Sequence, residues 1–220
     1  RPDPALMKKC LRLGIPFGAQ GSLIAFSCVA LQSIINRFGS DVIAAFTATS
    51  RIEQLVQQPY NSLATALATF AAQNIGAGNP ERVRRGFRKS TFLVIVFSVI
   101  MCGIMFLSGE AFVRLFVKDA NVIAIGGRAI RITSLFYIPL GMIYITRSLL
   151  NGAGDSAFAF VSGLAEVVGR VGFSILLAGI PALGYWAVWY TTGLTWLITG
   201  AACILRYLQG KWERIVLVEK

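Results

Sequence analysis

Polar side chains that could bind or carry a ligand concentrate in one stretch of an otherwise apolar sequence. Residues 47–61 read TATSRIEQLVQQPYN. At 100° per residue, a helix would place the polar residues of this region on a continuous arc of about 160°. We call this set the polar arc; its members are Arg51, Glu53, Gln54, Gln57, Gln58, Asn61 and Thr65. Arg51 and Glu53 lie at opposite edges of the arc, so we expect each to meet its partner on another helix or in water.

The polar arc has two interpretations. In lipid it must face other helices or a water-filled cavity, because an uncompensated polar group is costly there. The functional interpretation is a cavity for a substrate or a coupling ion, in which Glu53 carries a proton or a cation. The alternative is a polar contact between helices that only stabilises the bundle.

Other polar and aromatic residues are weaker candidates for the same cavity. Gln20 and Gln32 give the first apolar stretch a modest polar component. Tyr137 and Tyr144 share one helix face, where they would stack on a flat or cationic substrate or simply pack against other helices. A further pair, Glu166 and Arg170, has the acid-to-base order at i, i+4 that favours a structural ion pair over a role in gating or transport.

Enzymatic chemistry finds no support in the sequence. The chain contains no histidine, which excludes a Ser-His-Asp triad and any histidine-ligated metal. Its Gly-Ala-Gly turns at 76–78 and 152–154 lack the Lys-Ser/Thr of a phosphate-binding loop. We therefore predict no catalytic site, no metal site and no cofactor, and expect an ion gradient rather than ATP to drive any transport.

The elements that would position these residues are membrane-spanning helices. Hydrophobic residues make up 55% of the chain and charged residues only 14%, with a mean hydropathy of +0.66, whereas a soluble domain is about 25% charged. Several apolar stretches approach the ~20 residues that cross a bilayer. We predict an all-α integral membrane bundle over residues 14–208, with six spans at 14–36, 42–75, 91–108, 124–150, 158–180 and 183–205.

The segments between and beside the spans also carry predictions. Residues 109–117 are too short to span, so we expect a short interfacial helix there, followed by a turn at 118–121. Residues 1–13 form a lead-in and residues 209–220 a basic tail, in which Trp212 is expected at the level of the lipid headgroups.

The distribution of charge predicts the orientation in the membrane. The chain has a net charge of +11, and an even number of spans places both termini on one side. Most basic residues fall on that side, in the two termini and in the loop around 82–89, and Arg147 is assigned to the same side. This asymmetry predicts cytoplasmic termini in a plasma or inner membrane. It argues against nucleic-acid binding, which requires a solvated basic face.

Three segments resemble a known family in the order in which they occur. They are LGIPFGAQGSLI at 13–24, AAFTATSRIEQLVQQPYNSLATALATFAAQNIGAGNPERVRRG at 44–86 and SLLNGAGDSAFAF at 148–160. Together they resemble the multidrug and toxic compound extrusion (MATE) family of transporters. The resemblance implies a fold of twelve helices in two six-helix lobes around a central cleft, with this chain as the C-terminal lobe. The implied partners are an N-terminal lobe of the same transporter, the lipid bilayer, cationic drugs, and H⁺ or Na⁺ as the coupling ion.

One departure from the family pattern bears on the coupling ion. Sodium-coupled members carry an acidic residue in the first helix of this lobe, and residues 14–36 contain neither Asp nor Glu. Proton coupling fits better, with Glu53 as the acidic candidate in this lobe. Two other functions stay open. A lipid-linked oligosaccharide flippase of the same superfamily would line its cavity with several Arg or Lys residues, and a half-sized protein would act as a homodimer or not transport at all.

Overall fold

The computed structural model describes residues 3–214, which form helices and turns without a β-strand. The helices in chain order are α1 Pro4–Ile35, α2 Ser40–Gly76, α3 Pro80–Arg114, α4 Ala120–Ser134, α5 Tyr137–Gly152, α6 Ser156–Ala178 and α7 Ala187–Leu208. Short 3₁₀ turns occupy Gly184–Trp186 and Lys211–Arg214. The all-α class predicted from the sequence is confirmed.

Two similar turns connect α2 to α3 and α5 to α6. Gly78 (φ 72°) and Gly154 (φ 86°) adopt the left-handed conformation just after a helix ends, which favours glycine because it has no Cβ. The side chains of Asn79 and Asp155 then cap α3 and α6 by accepting hydrogen bonds from the backbone N–H of Arg82 and Phe158. Both turns coincide with the Gly-Ala-Gly sequences at 76–78 and 152–154.

Packing divides the lobe into helix pairs. The most extensive contacts join α1 to α6, α2 to α5, α3 to α4 and α6 to α7. The main apolar core lies between α2, α3 and α5, around the fully buried Tyr60, Tyr137 and Leu149. In contrast, α5 and α6 touch little, which leaves space between them.

Within residues 3–214, four helices are long and apolar enough to cross a membrane, and a bent pair makes a fifth if it counts as one span. The four are Cys10–Ile35 of α1, α3, Ser156–Leu177 of α6 and Gly184–Leu208; the pair is α4 with α5, bent by 56°. The helix α2 has 37 residues, which is long enough to span, but its polar residues lower its hydropathy. The six predicted spans are therefore reached only if α2 also crosses the membrane.

The fourth predicted span, 124–150, is two helices rather than one. The chain breaks between Ser134 and Tyr137, and Pro139 accounts for the break. In a continuous helix its ring would clash with the carbonyl of Leu135. Ending α4 at Ser134 places Pro139 in the first turn of α5, where proline is tolerated.

One prediction for the connecting segments was wrong. Residues 109–117 are not a separate interfacial helix, because α3 continues without interruption from Pro80 to Arg114. Trp212 is 1% exposed and its ring stacks on Tyr207, and its place at the level of the lipid headgroups stays a prediction. Its indole N–H also donates to the Tyr207 carbonyl (3.1 Å). The rest of the predicted tail, 215–220, lies outside the described residues.

Candidate functional site

A cavity of about 500 Å³ opens between five helices of the lobe. Helix α2 forms one wall with part of the polar arc, and α5 and α6 form the opposite wall, with α1 and α7 at the sides. Apolar side chains such as Leu140, Ile143 and Trp196 complete the lining. A concave site of this size, mostly apolar with a few converging polar groups, suits a small organic molecule.

The polar arc divides between the cavity and the outside of the lobe. Its cavity half consists of Glu53, Gln54, Gln57 and Asn61. Arg51, Gln58 and Thr65 do not line the cavity and are exposed on the outer side of α2. The division follows helix geometry, because these three residues lie at the edge of the arc farthest from Glu53.

Glu53 carries an unpaired carboxylate oxygen into the cavity wall. The residue is half-buried, and its Oε1 atom is buried with no hydrogen-bond partner. A buried oxygen without a partner is unfavourable, so a proton, a cation or a donor group of a ligand would stabilise it. Glu53 is therefore able to bind such a group.

An Arg-Glu-Arg cluster forms the opposite wall. Arg147 donates from Nη2 to Glu166 Oε2 (2.9 Å), and Arg170 donates from Nη2 to Glu166 Oε1 (3.0 Å). The predicted contact between Glu166 and Arg170 is thus present, with Arg147 as a third member. Arg170 also donates from Nη1 to the Cys28 sulfur of α1 (2.9 Å). We call Arg147, Glu166 and Arg170 the charge cluster.

The place of Arg147 in this cluster corrects the prediction that it belongs to the charged side of the membrane. It lies within α5, with 15% of its side chain exposed, and lines the cavity. The sequence already indicated that Arg147 lies within a helix, since it falls inside the predicted span 124–150. An ionisable residue within a span is the same feature that drew attention to Arg170.

Of the two predicted tyrosines, only one reaches the cavity. Tyr144 lines it, donates its hydroxyl to Gln57 Oε1 (2.8 Å) and stacks on Tyr60 with ring centroids 6.1 Å apart. Tyr137 does not line it, because this first residue of α5 is fully buried against α2 and α3. Tyr137 therefore packs in the core, where its buried hydroxyl has no hydrogen-bond partner.

The two glutamines of α1 also differ. Gln32 lines the cavity. Gln20 does not, because its amide donates to Ser162 (2.7 Å) and accepts from Asn151 (3.3 Å), which connects α1 to α6 and α5. Gln20 therefore joins three helices through its side-chain hydrogen bonds.

The cavity offers charged and polar groups that can bind a ligand. It presents two carboxylates, Glu53 and Glu166, and two guanidinium groups, with amide and hydroxyl groups between them. Within residues 3–214, no three Cys, Asp or Glu side chains are grouped as metal ligands.

Comparison with known proteins places this architecture among transporters. The MatE family model matches residues 16–176. The probable multidrug resistance protein YpnP of Bacillus subtilis is 28% identical over 208 residues, which cover 94% of this chain and 46% of the relative. The probable multidrug resistance protein NorM of Thermotoga maritima is 23% identical over 214 residues, covering 97% and 46%.

Solved structures show the same fold. An outward-facing multidrug resistance MATE family transporter of the MOP superfamily superposes with a TM-score of 0.88 at 19% identity. The match covers 98% of this chain and 49% of that one. The chain thus spans about half the length of the relatives and structures that it matches, and its fold is one half of theirs.

Proposed function

Because this chain belongs to the MatE family of multidrug transporters, we propose that it forms the C-terminal half of a secondary active transporter that exports organic cations and drugs. The observation that carries this proposal is the lining of the cavity, which Glu53, with one carboxylate oxygen lacking a partner, shares with Gln54 and Gln57 of α2 and with Tyr144 of α5. A carboxylate next to an aromatic face attracts an organic cation by charge and by cation–π contact.

The proposed partner of this lobe is a second six-helix lobe. The outer half of the polar arc, with Arg51, Gln58 and Thr65, is exposed on α2. These residues are unfavourable in contact with lipid, so another polar surface must cover them. The relatives are about twice as long as this chain, which supports a second lobe as the cover and the other wall of a central cleft.

We propose protons as the coupling ion, with Glu53 as the carrier in this lobe. Protonation stabilises a carboxylate that has an unpaired buried oxygen, and a bound cation stabilises it as well. The two events compete for one group, which is the requirement for exchange. The lack of Asp and Glu in 14–36 supports protons over sodium.

The proposed location is the plasma or inner membrane with cytoplasmic termini. The exposed start of α3, with Arg82, Arg85 and Arg88, and the 3₁₀ turn Lys211–Arg214 lie at the same end of the lobe, where Arg84 and Glu213 form an ion pair (2.7 Å). A basic end of the bundle supports this orientation.

Substitution of Glu53 by Gln tests the proposal. The amide cannot release a proton or attract a cation, so we expect efflux of a cationic dye from cells expressing the whole transporter to fall at least tenfold. In proteoliposomes that contain the Glu53→Gln transporter, an imposed pH gradient should drive dye-coupled proton movement that is at least tenfold weaker than in the wild type.

Glu81→Gln is the matched control. Glu81 is exposed at the start of α3, where its closest basic atoms are 4.0 Å away. The substitution Glu81→Gln should therefore leave efflux of the dye unchanged. Equal efflux in the wild type and in Glu53→Gln would remove Glu53 from the mechanism, and dye movement that responds to sodium but not to pH would exclude proton coupling.

A further inference from the structure

The charge cluster has more positive than negative charge. Arg147 and Arg170 share the single carboxylate of Glu166, which uses both of its oxygens to pair with them. All three side chains are largely buried, at 15%, 9% and 8% exposed. The cluster therefore keeps one net positive charge inside the membrane-embedded part of the protein, which is costly without a counter-ion.

Both arginines also retain unused donors. The Nε atoms of Arg147 and Arg170 are buried and have no hydrogen-bond partner. A guanidinium is a planar fork that binds carboxylate or phosphate oxygens in pairs. The cluster therefore lacks an anion and has the donors to bind one.

None of the other described groups around the cavity forms an ion pair with either arginine. Helix α1 contributes Cys28 and Gln32, and α7 contributes Thr192 and Trp196, none of which carries a negative charge as a side chain in its usual state. The remaining carboxylate is Glu53 on α2. It interacts electrostatically with Arg170 across the cavity, but none of the ion pairs among the described residues joins it to either arginine. The cavity thus has an anionic wall and a cationic wall.

We propose that the charge cluster binds an anionic group of the transported molecule, so that the preferred substrates are zwitterions. Arg147 and Arg170 bind the substrate's carboxylate or phosphate, and its cationic or aromatic part lies toward Glu53 and Tyr144. This inference rests on the proposed export function and narrows its substrate class from organic cations to molecules with charges of both signs.

The test uses a rhodamine dye with a free carboxylate and the methyl ester of the same dye. The two probes share one ring system and one positive charge, and they differ only in the anion. Binding to the whole transporter in nanodiscs of zwitterionic lipid is measured by fluorescence anisotropy. We expect the wild type to prefer the free acid.

Arg147→Gln should weaken binding of the free acid about tenfold or more, because it removes a charge-assisted contact to the carboxylate. The ester should bind at least as tightly as before, since the cavity loses a positive charge. Arg147→Lys keeps the charge and should retain most of the binding of the free acid. Arg85→Gln removes an exposed charge at the start of α3 and should change neither probe.

Cys28 gives a second readout that needs no change in the cluster. It lines the cavity beside Arg170, so a dye whose carboxylate occupies the cluster should protect it from a maleimide. In a protein with Cys10→Ser, Cys102→Ser and Cys203→Ala, we expect the free acid to slow labelling at least fivefold and the ester to have less effect.

The outcomes separate the two proposals. Three results would overturn the anion site and leave the export function standing. Arg147→Gln could weaken binding of both dyes equally, it could weaken binding of neither, or the two dyes could protect Cys28 from labelling equally. Displacement of the free acid by anionic lipid in the nanodisc would assign the cluster to a lipid headgroup and also overturn it. Failure of the wild type to bind either dye would overturn the proposed function, and the substrate class with it.

Discussion

At the scale of single residues, Glu166 connects the two helices that form the wall opposite α2. It lies on α6 and pairs with Arg147 of α5 as well as with Arg170 on its own helix. The helices α5 and α6 make few other contacts. The buried carboxylate of Glu166 therefore neutralises part of the positive charge in this region, and it provides much of the contact between α5 and α6.

Glu166→Gln should destabilise the lobe strongly. It leaves two buried guanidinium groups without a counter-ion, and breaking a buried ion pair costs about 3–5 kcal/mol. At about 2–4 °C per kcal/mol for a domain of this size, the apparent Tm should fall by about 6 °C or more. Thermal unfolding of the purified protein in detergent, followed by tryptophan fluorescence, measures the change.

Glu110→Gln provides the comparison for a surface pair. Glu110 binds Arg131 at 3.2 Å, but both side chains are more than 40% exposed, and such pairs contribute about 0–1 kcal/mol. The Tm of Glu110→Gln should stay within about 4 °C of the wild type. A shift as large as that of Glu166→Gln would show that burial does not distinguish the two pairs.

At the scale of helices, the close approach of α2 and α5 positions the cavity wall. Gly152 lies where a Cβ atom would collide with the backbone of Ala68. The same pair of helices brings Tyr144 within hydrogen-bond distance of Gln57. A small residue at this crossing is required because backbone is on the other side and cannot rotate away.

Gly152→Ala should therefore destabilise the lobe, although alanine is the better helix former. The added methyl group forces α2 and α5 apart, at a cost of about 1–3 kcal/mol, and it should also weaken dye binding by moving Tyr144. Gly103→Ala is the control within α3, where a Cβ atom added to the glycine would have no neighbouring atom within 4 Å. It should leave Tm equal or higher, and an equal loss of Tm in both variants would contradict close packing as the cause.

At the scale of the whole molecule, the helices make six crossings if α2 spans the membrane and α4 with α5 counts as one span. The turns at 77–79 and 153–155 then lie on one side, with the start of the Lys211–Arg214 turn. The turn at 115–119 lies on the other side. The basic residues at the start of α3 predict that the first side is cytoplasmic.

Single cysteines test this topology. In a cysteine-free background, Ala77→Cys should react with a membrane-impermeant maleimide in inside-out vesicles only, and Lys118→Cys in right-side-out vesicles only. Both positions are exposed turn residues, so access to the thiol depends on the side of the membrane. Labelling of both cysteines from the same side would show that α2 or the α4–α5 pair does not cross.

The features that the sequence determined by itself depend on residues that are close together in the chain. Hydropathy predicted the helical membrane class, the Gly-Ala-Gly motifs predicted the two turns, and the ordered segments predicted the MATE family, which the family match over residues 16–176 confirms. The helical period also separated the polar arc from the apolar face of α2, because both depend on residues within a few turns of each other. The i, i+4 pair of Glu166 and Arg170 was visible for the same reason.

The tertiary structure decided which of these residues share a cavity. Arg147 and Glu166 lie on different helices, and their spacing in the sequence does not indicate that they pair. The division of the polar arc into Glu53, which lines the cavity, and Arg51, which is exposed, depends on where α5 and α1 approach α2. Sequence spacing sets the face of a helix on which a residue lies, whereas helix packing decides what that face contacts.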